Sequence, residues 1–526
     1  MRTSASTAVR RLITVMLVLA AALATGTEAA SAGAISSSIN GGLVQLRGND
    51  GCIVAIPSRL RGCDRARAMR GPAPFTGSDA VAVSPDGRDV YVAASSSNAI
   101  TVLRRYAPRG VLRQAPGRRG CISERGRGGC ARAQGLRRPV SVAISRNGRK
   151  VYAASMLGNS ITSFTRNPRT GALSQDECIA DASARVPGCG TGNGLRGANV
   201  VSISPDGRNI YVGGFTGNTV AVFTQGDAGG LDQTGCVADA GTPTTGCTPV
   251  TGLLGPEGLG VSPDGRNVYV GSALGGTVTA FARDRSTGAI SQLPLPAGCI
   301  ADQGAPIAGC GTAKAVQGAD AVAISRDGRN VYVAAGIGDG LAIFSRDAQS
   351  GALSQLPTTT GCWVAVLAMD CALGQAFKVP EGVAVTPDGA NVYVGAFGSS
   401  AVAIFDRSGQ NGALSQKRRP RGCIVNAPRP LCTTGRALDE ANAIAVSPDG
   451  ANVYVGAVGS NSIGVFSRVG PDGRPRRANG NRLPRGDRDR RGGDRNRGGG
   501  GGDRGGGGGQ NGGGRGPSGL TGSTGR

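Results

Sequence analysis

Apolar and polar residues alternate along most of this chain in short runs, and the runs come back in a fixed order. The cleanest copy is the twelve-residue phrase Gly260-Val261-Ser262-Pro263-Asp264-Gly265-Arg266-Asn267-Val268-Tyr269-Val270-Gly271. One alternating run ends in its Ser-Pro-Asp-Gly and a second starts two residues later, the pattern of two antiparallel strands joined by a tight turn. Proline presets φ at the second turn position, and glycine supplies the positive φ that lets the next strand begin. Counted from its tyrosine, the hairpin recurs at Tyr91, Tyr152, Tyr211, Tyr269, Tyr332, Tyr393 and Tyr454. A spacing of roughly 60 residues means a repeat architecture.

A third alternating run follows each hairpin: Ile100 to Leu103, Ile161 to Phe164, Val220 to Phe223, Val278 to Phe281, Leu341 to Phe344, Val402 to Phe405 and Ile463 to Phe466. A polar turn and a short fourth strand such as Gly351-Ala352-Leu353-Ser354-Gln355 complete the unit. Seven four-stranded antiparallel meanders predict an all-β, seven-bladed β-propeller, in which each blade buries its faces against its neighbours. The last unit ends near Phe466 after three strands, while Gly41-Gly42-Leu43-Val44-Gln45 matches Gly412-Ala413-Leu414-Ser415-Gln416. The N-terminal strand is therefore expected to complete the C-terminal blade and close the ring.

The repeated Ser-Pro-Asp-Gly-Arg-x-Val-Tyr-Val, with Phe-Ser-Arg-Asp-x-x-Ser-Gly-Ala-Leu-Ser-Gln at 344 to 355, resembles the YVTN/lactonase-type β-propellers. That group includes 6-phosphogluconolactonase-like and carboxymuconate-cyclase-like enzymes and many non-catalytic secreted proteins. The resemblance covers residues 33 to 468 and implies the fold more than an activity, because the matching residues are strands and turns.

Composition adds glycine, 91 residues of 526, and few aromatics, which suits short strands and turns over long helices. Arg2, Arg10 and Arg11, an apolar run from Leu12 to Ala24 and Ala30-Ser31-Ala32 read as a signal peptide over 1–32. That apolar run is too short to span a bilayer, so the expectation is a secreted, extracellular or cell-surface protein without a membrane span. From about 469 the chain turns to Gly, Arg, Asp and Asn, which cannot bury a core. Residues 469–526 are expected to form a disordered tail with a short collagen-like end.

All 14 cysteines fall between the fourth strand of one unit and the first strand of the next, two per unit. An even count behind a signal peptide predicts seven local disulfides: Cys52-Cys63, Cys121-Cys130, Cys178-Cys189, Cys236-Cys247, Cys299-Cys310, Cys362-Cys371 and Cys423-Cys432. With two sulfurs per site and no histidine in the chain, a tetrahedral metal centre is not supplied. The stapled loops are expected on the channel face. Those at 46–78, 107–138 and 416–440 carry about +16 of the formal net charge of +24. They are consecutive around a closed ring. Arg59, Arg61, Arg65, Arg67, Arg118, Arg119, Arg125, Arg127, Lys417, Arg418 and Arg419 would form a basic arc suited to a polyanion such as an anionic cell-envelope polymer, through charge and not base readout. Nucleic acid is not the expected partner behind a signal peptide, and a monomer is expected.

Five residues before each turn serine or its counterpart stand Asp79, Val140, Asn199, Glu257, Asp320, Glu381 and Asn442. In a propeller these positions converge on the channel mouth, where the six polar ones could bind a ligand through oxygen, a divalent cation included, or provide a general base. Hydrogen bonding to neighbouring backbone is the structural alternative. The related lactonases frequently carry Pro-His where this chain has Pro256-Glu257 and Pro380-Glu381, so no histidine mechanism carries over. Glu257 and Glu381 are the catalytic candidates that remain. Two functions follow from sequence: a secreted binding or scaffold protein without cofactor, or a lactonase-type hydrolase or isomerase at the acidic mouth.

Overall fold

In the computed structural model, which describes residues 40–72, 78–226, 230–366 and 370–481, each tyrosine phrase folds as the expected hairpin. In blade 4 its strands are Pro256–Val261 and Asn267–Ser272. The turn is self-bonded: the Ser262 hydroxyl donates to Asp264 Oδ1 at 2.5 Å, the Asn267 amide donates to Ser262 Oγ at 2.9 Å, and Gly265 sits at φ +70°. A third strand, Thr277–Arg283, pairs with the second. Seven such sheets form the ring. Blade 1 begins at Val81–Val83 and blade 7 at Ala441–Val446.

The sequence pattern missed a fifth strand. After the fourth, a short segment such as Gly190–Gly192 pairs in parallel on the outside, with Ile179 opposite Gly190. Each of the seven expected disulfides links the fourth strand to the loop entering the fifth. Because a parallel fifth strand requires the chain to run back down the blade, the stapled loops lie on the outer rim. This corrects the expectation that they ring the channel mouth.

Ring closure is as the strand count implied. Leu43–Gln45 and Cys52–Ala55 pair antiparallel with Ser462–Arg468, and Asp64–Ala66 adds the fifth strand. The boundary at 468 is corrected: residues 469–481 pack on the propeller. The Val469 amide donates to Gly42 O at 2.8 Å, Ala478 to Pro108 O at 2.7 Å, and Ala478 is buried. The expected signal peptide and collagen-like end lie outside the described residues.

Two sets of polar contacts join neighbouring blades. At the rim, the fourth-strand glutamine exchanges two hydrogen bonds with the preceding blade in all seven seams, as Gln355 does with the Lys314 backbone at 2.8 and 2.9 Å. Nearer the face of the Ser-Pro-Asp-Gly turns, an arginine ending the third strand reaches into the previous blade. Arg346 donates Nε–H to the Tyr269 hydroxyl (3.0 Å), Nη1 to Gly328 O (3.1 Å), and Nη2 to Asp264 (2.8 Å) and Asn267 (2.6 Å). Tyr269 in turn donates to Gly351 O at 2.6 Å. Burial alone would raise the Asp264 carboxyl, but the Ser262 hydroxyl, the Arg266 amide and Arg346 hold it below the usual carboxylate range.

Arg105, Arg166, Arg283 and Arg407 make the same set, and Arg468 reaches Asp388 and Asn391. The seam between blades 2 and 3 departs. Gln225 stands for the arginine, Asn147 for the turn aspartate and Lys150 for the asparagine, and the buried Tyr152 hydroxyl has no partner among the described residues.

Arg346 is buried but Asp264 keeps about a third of its side chain in water, so losing the guanidinium costs chiefly its hydrogen bonds to buried partners. Arg346→Met should therefore cost about 1–3 kcal/mol in denaturant unfolding, whereas the triple change Asn147→Asp, Lys150→Asn and Gln225→Arg should add about 1–2 kcal/mol by completing the seventh clamp. Equal midpoints for all three proteins would remove the clamp from the account.

Candidate active site at the channel mouth

The inner strand of blades 2 to 7 carries a register shift at the position the sequence singled out. In blade 4 pairing jumps from Pro256 opposite Ser272 to Gly258 opposite Gly271, which leaves Glu257 unpaired in the ladder. The same shift isolates Val140, Asn199, Asp320, Glu381 and Asn442, while Asp79 lies in a 3-10 turn over Ser78–Ala80. A bulge re-aims the extra side chain, so one local irregularity repeated around the ring turns these residues toward the axis.

Three of the acids face one another. Asp320 takes a 2.7 Å hydrogen bond from the Gly336 amide. A Cβ at Gly336 would lie 2.5 Å from Asp320 Oδ2 and 3.6 Å from Glu381 Cγ, so glycine there leaves room for both carboxyls. Burial drives all three upward in pKa. Asp320 rises to about 7 even though the Gly336 amide opposes the shift. Glu381 rises to about 8 through burial and the Asp320 charge, with Asn442 opposing and Glu440 adding a little. Glu257 is pushed well above the usual range by burial and then by Asp320 and Glu381, against the Asn199 amide. That amide leans on Glu257 without full hydrogen-bond geometry, so both polar atoms of the fully buried Asn199 side chain lack a partner.

The arrangement holds carboxyls that change charge near neutral pH beside an unsatisfied amide, the equipment of general acid-base chemistry. Among the described residues no three acidic side chains come close enough to ligate one metal ion, so the cation alternative gains no ligand set.

Arg59, Arg61, Arg65, Arg118, Arg119, Arg125, Arg127, Arg418 and Arg419 are exposed, on the rim or the loops beside it. Lys417 leaves the set: it is buried and paired with Asp406 at 2.5 Å. Arg67 is half-buried and donates to the Gly117, Gly128 and Gly129 carbonyls, tying its loop to blade 1. Trp363 packs edge-on against Phe405, with centroids 5.0 Å apart. Sequence reading missed Gly336 and the arginine clamps. The clamps were visible as the repeated arginine two residues after the third-run Phe or Leu, which Gln225 alone breaks.

A seven-bladed ring whose inner-strand bulges carry acids into the channel defines a propeller with an acidic central site. The family model described as "Lactonase, 7-bladed beta-propeller" matches residues 139–300 and 303–434, more than half of the chain, and the protein belongs to that family. A search of curated proteins returns no match. Among solved structures the chain is similar to a putative 6-phosphogluconolactonase from Bacteroides uniformis, at 21% identity and TM-score 0.45 over 64% of this chain and 82% of that one. It is also similar to a periplasmic gluconolactonase of Pseudomonas aeruginosa, at 22% and 0.43 over 64% and 83%. Likenesses this distant add nothing to the fold already described.

Asp320 and Glu381 have folded-state pKa values above those of an unfolded chain, so the folded protein holds extra protons near neutrality. Their contribution to stability is full below about pH 4 and is lost as pH rises through 7 and 8. Thermal melts between pH 5 and 9 should show wild type losing stability and Glu381→Gln losing about 1–2 kcal/mol less. Parallel curves would contradict these assignments.

Proposed function

We propose that the protein opens lactone rings at the channel mouth, and that the buried carboxyls there carry the chemistry. The supporting observation is Glu381 and Asp320, raised to about 8 and about 7 beside Glu257, which burial also pushes well above the usual range, in a chain of the lactonase propeller family. At neutral pH Asp320, raised to about 7, is partly ionised, and its carboxylate is a base of matched strength for water. It takes a proton from water as the water oxygen adds to the lactone carbonyl. The Asn199 amide N–H and the protonated Glu257 are donors for the oxyanion, which is the largest gain such a site can give. Collapse breaks the ring C–O bond, and the leaving alkoxide takes its proton from a neutral carboxyl. No step needs a histidine.

The seven disulfides fit an oxidising compartment, and secretion behind the N-terminal signal is the reading that accounts for both. Binding of an anionic polymer is a second reading, favoured by nine exposed arginines on consecutive blades 6, 7 and 1. It concerns the rim and is compatible with catalysis at the axis.

Hydrolysis of glucono-δ-lactone above its spontaneous rate should rise with pH through 7 to 8. Asp320→Asn and Glu381→Gln should each lower kcat by about 10²–10⁴-fold with folding intact, and Arg59→Ala/Arg61→Ala should leave it unchanged. No turnover of five- or six-membered lactones by wild type, or full activity in both carboxamide variants, would overturn the proposal.

A further inference from the structure

The seam between blades 2 and 3 holds a cavity of about 490 Å³ lined by Ser145, Arg146, Asn147, Asp206, Gly207, Arg208, Gln225 and Gly226. Its position coincides with the missing clamp. An added Cβ at Gly87, Gly148, Gly265, Gly328, Gly389 or Gly450 would meet an arginine Nη1 at 3.0–3.5 Å, yet at Gly207 it would meet nothing within 4 Å. The guanidinium that fills six seams has no counterpart in the seventh, because Gln225 is too short and uncharged.

The charge of this seam is also inverted. Elsewhere the second-strand blade presents a turn carboxylate and an asparagine or aspartate to the arriving cation. Here it presents the neutral Asn147 and the cationic Lys150, which is bonded to Asp176 and Thr165 at 3.0 and 3.2 Å. Asp206, the one acid in the lining, is already paired with Arg283 at 3.0 Å. Arg146 and Arg208 are exposed and make no ion pair among the described residues, Arg146 having there only a 3.4 Å contact to the Pro205 carbonyl. By repeat equivalence the Tyr152 hydroxyl, 1% exposed and unpartnered, faces the position of the 225 side chain, as Tyr211 faces Arg283. Two guanidinium groups and two amides are hydrogen-bond donors lining one cavity, and the one acid among its described lining residues, Asp206, is already paired, with Asp232 lying behind Gly226.

We propose that this cleft, on the face opposite the channel mouth, binds a small oxyanion, a carboxylate or a phosphate, in the place where the other seams hold their own arginine. The inference does not depend on catalysis at the axis. It uses the one seam that lacks the arginine clamp, where three departures that occur together, Asn147, Lys150 and Gln225, remove a cation site and leave donors behind.

The test is thermal unfolding of the full chain with inorganic phosphate in one arm and gluconate in the other, each against chloride at equal ionic strength. At about tenfold over Kd, binding should raise wild-type Tm by about 1–2 °C in at least one arm, and the arm that responds identifies the oxyanion. Arg146→Ala/Arg208→Ala should remove the shift. The triple variant Asn147→Asp, Lys150→Asn, Gln225→Arg, which fills the cleft with a clamped guanidinium, should remove it while its own melting confirms that it is folded. No shift in either arm for wild type, or a shift that survives in both variants, would overturn the proposal.

Discussion

A guanidinium passed from one blade to the next is the interaction on which this ring depends. Five of the six clamps tie the end of a third strand to the tyrosine and turn carboxylate of the blade before it, Arg468 reaching the carboxylate and asparagine, and the tyrosine in each of these seams bonds back to the following blade's outer turn. A propeller blade has no reason to stop sliding against its neighbour from apolar packing alone, since that packing is non-directional. The clamp and the rim glutamine pair provide direction at two radii of six seams, and the glutamine pair alone does so between blades 2 and 3. The disulfides act at a third radius, within a blade, by holding the parallel fifth strand to the fourth.

With the seams fixed at the bottom and rim, the top of each inner strand can afford an irregularity. The bulge at Asn199, Glu257, Asp320, Glu381 and Asn442 gives up a ladder position and delivers a polar side chain to the axis instead. Burying three carboxyls there is unfavourable for their charged forms, and their raised pKa values are the measure of it. A stable ring carrying a costly centre is the relation expected where a site is built for proton transfer. The seam between blades 2 and 3 is the other place where the pattern is broken, by substitution in place of backbone geometry.

Much of the fold was legible because strand alternation and turn residues have short-range causes: the Ser262-to-Gly265 turn, the third runs and the strand missing after Phe466 all led to a closed seven-bladed ring. The fifth strand was not legible. Segments such as Gly190–Gly192 have no alternation and owe their pairing to the parallel neighbour and the adjacent disulfide. The location of the stapled loops failed for the same reason. Charge counting placed Lys417 on the surface although Asp406 draws it into the core, a tertiary fact no local pattern records. The channel residues were found from repeat position alone, but their protonation depends on three strands meeting, and Gly336 matters only because Asp320 arrives beside it.

The most direct test of the central claim, that buried carboxyls at the axis remain protonated near neutral pH, is infrared difference spectroscopy of the protein between pH 6 and 9. The account predicts a protonated-carboxyl stretch at pH 6 that falls through pH 7 to 8 as Asp320 and Glu381 ionise, and a fall that is diminished in Asp320→Asn and Glu381→Gln. Exposed acids are already ionised at pH 6 and do not contribute. A spectrum without that band at pH 6, or one unchanged in both variants, would contradict it.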